Sequence, residues 1–245
     1  MTSRSGDPRL FRKLGFVFAS AIAMLCASAP AALAALPAQL SNETTFTRWA
    51  NPATAGPIRT QPQQGAHVIT HLHYQTEDRQ AEIYIALRSQ VDADGKTWLL
   101  IRVPGRPNGR KGWVTEDELN PLQVIHTQIV INRHSLRLTL FKFGKKKMSA
   151  PVGVGRPSLP TPSGNFWIRE KLRSLGPVYG PWAIGTSAYS PKLTDWPGGG
   201  VVGIHGTNEP GLIPGRPSHG CVRMKNKAIS RLVKKAPLGT PVKII

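Results

Sequence analysis

Two short segments near the C-terminal end of the chain decide how the rest is interpreted. They read IHGTN at residues 204–208 and SHGCVRM at residues 218–224, and a loop rich in glycine and proline separates them. A cysteine becomes a useful nucleophile as its thiolate, and a neighbouring imidazole or cation lowers its pKa. His219 shares a face with Cys221 in an extended segment, and a hairpin-like return would bring His205 to the same place. The spacing indicates a cysteine nucleophile with two candidate imidazoles; an inert, buried cysteine is the alternative.

The same segments resemble the catalytic domain of the L,D-transpeptidases, whose motif is a histidine, a loop, and then Ser/Thr-His-Gly-Cys. The resemblance covers about residues 124–245, with TPSG upstream at residues 161–164 and a closing helix and strand at the end. It implies that Cys221 is the nucleophile, that His205 is the base, and that the Gly206 carbonyl orients the imidazole.

The resemblance also implies roles for the residues around this pair. His219 would line the site and help to hold substrate or oxyanion, and the backbone N–H groups of Gly220 and Cys221 would form an oxyanion hole. Arg223 is expected to bind a carboxylate of the substrate. Three further residues are expected at the substrate: Ser218, Tyr189 and Trp196.

The implied reaction is acyl transfer on peptidoglycan stem peptides. The cysteine attacks the third residue of a tetrapeptide stem, releases the terminal D-alanine, and passes the acyl group to an amine of a second stem, which gives a 3→3 cross-link. Hydrolysis of the same thioester would make the protein an L,D-carboxypeptidase, and a wall-binding protein with a vestigial transferase domain is the non-enzymatic alternative. We expect no metal and no other cofactor. His67, His71 and His73 have no carboxylate or cysteine that would complete a metal site.

The N-terminal segment predicts export. A basic stretch containing Arg9, Arg12 and Lys13 precedes an uncharged apolar run at residues 14–27, and small residues at Ala32 and Ala34 suit a cleavage site. We therefore expect a signal peptide at residues 1–34 and a location in the cell wall or periplasm. An uncleaved membrane anchor is the alternative.

The composition predicts a mainly β protein. Among 245 residues there are 24 glycines and 22 prolines, which argues against a helical bundle. We expect a linker at residues 35–64, then a small barrel at 65–122 that resembles a bacterial SH3-like domain through WLLIRV and GWV. A β-rich L,D-transpeptidase sandwich at 124–245 follows, with one C-terminal helix that Asn226 caps.

Charge is concentrated in the last of these regions. The chain has a net charge of +19, and residues 125–245 hold nineteen basic and three acidic side chains. Outside the cytoplasm the available polyanions are wall polymers and lipid headgroups. We therefore expect anionic wall polymers as partners beside the stem peptides, leave a membrane surface open, and do not expect nucleic acid.

Overall fold

The computed structural model describes residues 37–173, 175–194 and 197–245. Within them the chain is mainly β with one α-helix, which confirms the predicted fold class. The predicted signal peptide and Trp196 lie outside the described residues. No helix in these three ranges combines the length and apolar character that crossing a bilayer requires.

The first sheet is antiparallel and has eight strands, in the order β4-β3-β7-β6-β5-β2-β8 with β1 paired to β5. Its strands are β1 (Ala38–Gln39), β2 (Thr47–Ala50), β3 (Pro57–Arg59), β4 (Val68–His71), β5 (Tyr84–Val91), β6 (Thr97–Arg102), β7 (Lys111–Thr115) and β8 (Gln123–Ile125). Trp98 and Trp113 are buried in its core.

The predicted linker at residues 35–64 is wrong for its described part. This segment supplies β1, β2 and β3, and Ala50 and Ile58 are buried in the core of the sheet. The prolines misled the interpretation because they lie where a ladder tolerates them. Pro57 is the first residue of β3, and Pro52 lies in an isolated bridge beyond the end of β2.

The second sheet has ten strands, in the order β11-β10-β9-β18-β13-β14-β15-β17-β12-β16. They are β9 (Thr127–Asn132), β10 (Arg137–Lys142), β11 (Lys145–Pro151), β12 (Gly153–Gly155), β13 (Gly164–Arg173), β14 (Trp182–Tyr189), β15 (Val201–His205), β16 (Gly215–Ser218), β17 (Val222–Arg223) and β18 (Pro241–Ile244). The pairs β15/β17, β9/β18 and β12/β16 are parallel.

The helix α1 (Asn226–Lys235) buries Ala228, Ile229, Leu232 and Val233 in the core of the second sheet. The prediction that Asn226 caps it is wrong, because Lys225 occupies the cap position and Asn226 is the first helical residue. The Asn226 side chain accepts a hydrogen bond from the Thr207 N–H at 2.9 Å. It therefore ties the start of the helix to the IHGTN segment.

The two sheets pack against each other through β13, and the described residues form one compact unit. Trp167 is buried among apolar side chains of the first sheet, and its indole N–H donates to the Ile83 carbonyl at 3.2 Å. Beside it, Arg169 forms an ion pair with Glu82 in which the two side chains are 3% and 1% exposed. The sheets thus share a junction that contains a fully buried charge pair.

We predict that Arg169→Ala destabilises the protein by about 3–5 kcal/mol, because it leaves the Glu82 carboxylate buried without its partner. Urea unfolding followed by tryptophan fluorescence measures the loss. The matched control is Arg88→Ala on β5, whose side chain is exposed, and it should change stability by less than about 0.5 kcal/mol. Equal losses in the two variants would contradict a structural role for the buried pair.

Candidate active site

The parallel strands β15 and β17 bring the predicted pair together. His205 at the end of β15 lies opposite Arg223 on β17. Cys221 directly precedes β17, and its Sγ accepts a hydrogen bond from the Gly203 N–H at 3.4 Å. Gly203 and His205 are two residues apart on one strand, so they share a face of the sheet. His205 and Cys221 therefore line the same cavity.

The His205 ring is held in one tautomer by its neighbour. Its Nδ1 lies 2.6 Å from the Gly206 carbonyl oxygen. Because a carbonyl accepts hydrogen bonds and cannot donate them, Nδ1 carries the proton and Nε2 keeps its lone pair. The Tyr179 ring packs edge-on against the imidazole, with ring centroids 4.9 Å apart. The geometry thus presents an oriented, neutral base.

Burial keeps both members of the pair uncharged. It lowers the pKa of His205 to about 4, although the Gly206 carbonyl opposes the shift and the Arg223 charge adds to it. Burial also raises the pKa of the Cys221 thiol, against the opposing effects of the Gly203 N–H and Arg223. At neutral pH the resting pair is therefore a thiol and an imidazole. The expected lowering of the thiol pKa by a neighbouring imidazole is not found in this state.

Hydrogen bonds hold the turn before Cys221, and they use two groups for which the sequence predicted a role at the substrate. Ser218 is buried, and its hydroxyl donates to the Cys221 carbonyl at 2.5 Å and accepts from the Gly220 N–H at 3.1 Å. Thr161, from the TPSG segment, donates to the Gly220 carbonyl at 2.7 Å. Both the Ser218 hydroxyl and the Gly220 N–H are thus used to shape the turn, and Ser218 also lines the cavity. Their roles as substrate ligand and oxyanion donor stay predictions. Gly220 has a φ of +129°, which favours glycine.

The cavity beside the pair has a volume of about 210 Å³. His219 lies at its exposed rim, and Arg223 contributes to its wall. The remaining lining comes from residues before and within the two motifs: Val178, Tyr179, Ser190, Leu193, Gly200, Val201, Val202 and Ser218. An apolar, half-enclosed space of this kind suits the side chain of a peptide.

Arg223 is already bound to a carboxylate at the edge of the cavity. Its Nη1 lies 2.7 Å from Glu209 Oε2, and the Glu209 side chain is half-exposed. The Arg223 Nε is buried and has no hydrogen-bond partner among the described residues. Arg223 therefore lies at the cavity with its charge paired to Glu209 and with a buried Nε–H that no side chain of the described residues accepts.

A second cavity of about 110 Å³ adjoins the first and also reaches Cys221 and His205. Gly185 on β14 and Gly203 on β15 line this cavity and pair with each other. On the other side of β14, Glu170 of β13 pairs with Gly185. Since neither glycine has a side chain, no Cβ stands between the Glu170 carboxyl group and the thiol. Burial raises the pKa of Glu170 to about 7, with Asp78 adding to the shift.

Tyr189 does not wall the cavity as predicted. Its ring is buried against the first sheet, where the hydroxyl donates to Glu77 and accepts from Arg169 at 3.1 Å. The next residue, Ser190, lines the cavity instead. Alternation along β14 explains the error, because neighbouring residues on a strand point to opposite faces.

Sequence reasoning missed Tyr179 and Glu170. Tyr179 ends a short 3₁₀ turn at Pro177–Tyr179, and a Cβ on the following Gly180 would lie 2.8 Å from the Gly206 Cα. The glycine- and proline-rich run GPVYGP at residues 176–181 was the available signal for such close packing. Glu170 is one of only three acidic residues among residues 125–245, and this rarity was the feature of the sequence that could have indicated it.

We predict that alkylation of Cys221 by iodoacetamide keeps accelerating above pH 9, because burial raises the thiol pKa above its ordinary value of 9.0. Arg223→Met removes the cation that favours the thiolate and should slow labelling at pH 8 by about threefold or more. Both measurements use a Cys26→Ala background, in which Cys221 is the sole cysteine.

The matched control for this labelling experiment is Arg216→Met. Arg216 is exposed and donates to the Arg133 carbonyl, so its removal should leave the rate unchanged. A labelling rate that reaches its plateau below pH 8 would contradict the neutral resting pair.

The region that carries this site is similar in sequence to known proteins. The family model of the L,D-transpeptidase catalytic domain, YkuD, matches residues 126–244. YkuD of Bacillus subtilis (strain 168), provisionally named an L,D-transpeptidase, is 32% identical over 116 residues, which cover 47% of this chain and 64% of that protein. YkuD of Bacillus licheniformis is 30% identical over 125 residues, covering 51% of this chain and 68% of that protein.

Escherichia coli (strain K12) has a further relative, YbiS, which is also provisionally named an L,D-transpeptidase. It is 31% identical over 139 residues, covering 49% of this chain and 45% of that protein. The chain thus spans less than two thirds of YbiS and of the Bacillus subtilis relative. The matched segment contains His205, Cys221 and the turn that joins them, so this chain belongs to the L,D-transpeptidase family.

Proposed function

We propose that this protein is an exported L,D-transpeptidase that joins peptidoglycan stem peptides through 3→3 cross-links. The observation that carries the proposal is the placement of Cys221 and His205 on one cavity, with the His205 Nε2 left free by the Gly206 contact. Family membership supports the reaction class.

In the first step, Cys221 Sγ attacks the carbonyl carbon of the third residue of a tetrapeptide stem, and His205 Nε2 takes the thiol proton. The tetrahedral intermediate breaks its C–N bond, and the imidazolium gives the proton to the amine of the departing D-alanine. The acyl group remains on Cys221 as a thioester. In the second step, an amine of another stem attacks the thioester and passes its proton to His205, which returns it to the sulfur.

The neutral resting pair suits this sequence. Because the thiol and the imidazole are both uncharged at neutral pH, the proton moves only as the sulfur attacks, and no thiolate stands exposed to oxidation beforehand. The proton transfer forms an imidazolium in a buried site beside Arg223, and both the burial and the Arg223 charge disfavour it. The negative charge that develops on the carbonyl oxygen offsets this cost, since the two charges arise together.

The two cavities supply separate approaches to the thioester. The larger one, with Arg223 on its wall, holds the donor stem and its terminal carboxylate. The smaller one, which reaches Cys221 across Gly185 and Gly203, offers a route for the acceptor amine. Attack by water from the same side would instead release a tripeptide, which is the L,D-carboxypeptidase outcome.

The charge of the second sheet supports a location at the wall. Residues 125–245 hold nineteen basic side chains, and Lys145, Lys146 and Lys147 are exposed on β11. Together with the N-terminal segment predicted for export, this favours adhesion to anionic wall polymers.

We predict that the full chain, incubated with a purified disaccharide tetrapeptide, yields a cross-linked dimer whose mass lacks one D-alanine. Cys221→Ala should abolish the product, and His205→Gln should lower kcat by about 10²–10⁴-fold because the general base is lost. Mass spectrometry of the products measures both.

Cys26→Ala is the matched control and should retain full turnover, because the reaction uses the other cysteine. A tripeptide product without any dimer would show that the protein hydrolyses the thioester and does not form cross-links. Turnover that persists in Cys221→Ala would overturn the assignment of the nucleophile.

We also predict opposite effects for the two members of the Arg223–Glu209 pair. Arg223→Gln should raise the KM for the tetrapeptide about tenfold, because the donor loses a charge-assisted contact to its carboxylate. Glu209→Gln should lower this KM, because it removes the internal carboxylate that competes for the guanidinium. Steady-state kinetics measure the KM of each variant for the tetrapeptide and for its C-terminal amide. The KM changes should disappear with the amide, which has no terminal carboxylate. Equal KM changes for the two substrates would contradict a carboxylate contact.

A further inference from the structure

One wall of the larger cavity belongs to a segment outside the regular sheet. Ser190 and Leu193, in the wall segment (residues 190–193), both line the cavity, and Gly200 lines it where the chain returns. The register between β14 and β15 shifts between Gly185 and Tyr189, so the ladder there is interrupted. The wall segment therefore needs other contacts to keep its position.

Two side chains of the first sheet supply these contacts. They lie on the brace loop (residues 104–110), which joins β6 to β7. Arg106 donates to the Ser190 carbonyl at 3.2 Å and to the Leu193 carbonyl at 2.8 Å. Its planar guanidinium can reach both carbonyls at once, so it fixes the two ends of the wall segment.

Asn108 holds the residue before the wall segment. Its amide group donates to the Tyr189 carbonyl at 2.8 Å and accepts from the Tyr189 N–H at 2.9 Å. Tyr189 also pairs with Val201 on β15, so the Asn108 side chain satisfies both of its backbone groups at the end of the ladder. The Arg106 guanidinium also lies over the Tyr189 ring, 5.0 Å from its centroid.

The brace loop and the wall segment are closely packed. A Cβ on Gly200 would lie 2.6 Å from Arg106 Nη2 and 2.1 Å from the Leu193 carbonyl oxygen. Gly200 has a φ of +81°, which favours glycine, and its carbonyl accepts the Ser190 N–H at 2.8 Å. Arg106, the wall segment and the returning chain are therefore packed against one another.

We infer that Arg106 and Asn108 are positioning residues that hold the wall of the catalytic cavity, so that the first sheet sets how tightly a donor stem peptide binds. Neither residue belongs to the segment matched by the family model, which begins at residue 126. The inference about donor binding rests on the proposed function, whereas the placement of the wall segment does not.

The test compares Arg106→Met and Asn108→Ala with the unaltered full chain, using the disaccharide tetrapeptide as donor. Each variant should raise the KM about tenfold through loss of its hydrogen bonds, with kcat unchanged because Cys221 and His205 are untouched. The rate at which iodoacetamide labels Cys221 should also stay unchanged. Since Arg106 is exposed, its replacement leaves no buried charge and should not impair folding.

Two further variants separate positioning from general damage. Arg106→Lys keeps one donor but loses the planar fork, so its KM should fall between those of the parent and Arg106→Met. Lys111→Met removes an exposed charge on β7 and should leave the KM unchanged. A fall in kcat without a change in KM, or an unchanged KM in Arg106→Met, would overturn the inference.

Hydrogen exchange gives a readout that does not need turnover. Peptide fragments covering residues 190–193 should exchange faster in Arg106→Met than in the parent, because the segment loses its external contacts. If the parent chain makes no product, the proposed function fails and exchange still decides the placement of the wall segment. Equal exchange in the two proteins would overturn that placement.

Discussion

The contact between His205 Nδ1 and the Gly206 carbonyl, 2.6 Å long, determines what the site can do. It fixes the proton on Nδ1 and so leaves Nε2 as the base. A carbonyl carries no net charge, so it stabilises an imidazolium less than a carboxylate in the same place would. Burial therefore keeps the pKa of His205 low despite this contact, and the charged imidazole exists only while a substrate supplies the opposite charge.

That contact in turn depends on glycine. A Cβ on Gly206 would lie 2.4 Å from Asn226 Oδ1 and 3.0 Å from the Gly180 Cα. The start of α1 and the turn that carries Tyr179 thus close on the backbone that orients the base. The core under α1, formed by Ile229 and Leu232, is therefore linked to the catalytic geometry by direct packing, because movement of the helix would move this backbone.

Features that a local sequence pattern encodes could be predicted, whereas contacts between segments that are distant in the chain could not. Cys221 and His205 could be found because a short motif carries their chemistry, and the mainly β class followed from glycine and proline content. Ser218 and Tyr189 lie beside the site in sequence, but hydrogen bonds to the turn and to the first sheet take up their polar groups. Asn226 has the residue type of a helix cap, yet it bonds to Thr207, a partner that only folding brings near.

The same distinction applies to where the functional unit begins. Similarity to the family starts at residue 126, but the wall of the cavity is fixed by Arg106 and Asn108, and Tyr189 is anchored by Glu77. The contacts of Arg106 and Asn108 are made to backbone carbonyls, so they do not depend on the side chains of the wall segment. Arg169 couples this arrangement to the buried pair with Glu82, since it also donates to the Tyr189 hydroxyl. The first sheet is therefore part of the cavity's construction, because the same junction that stabilises the two sheets also positions one side of the site.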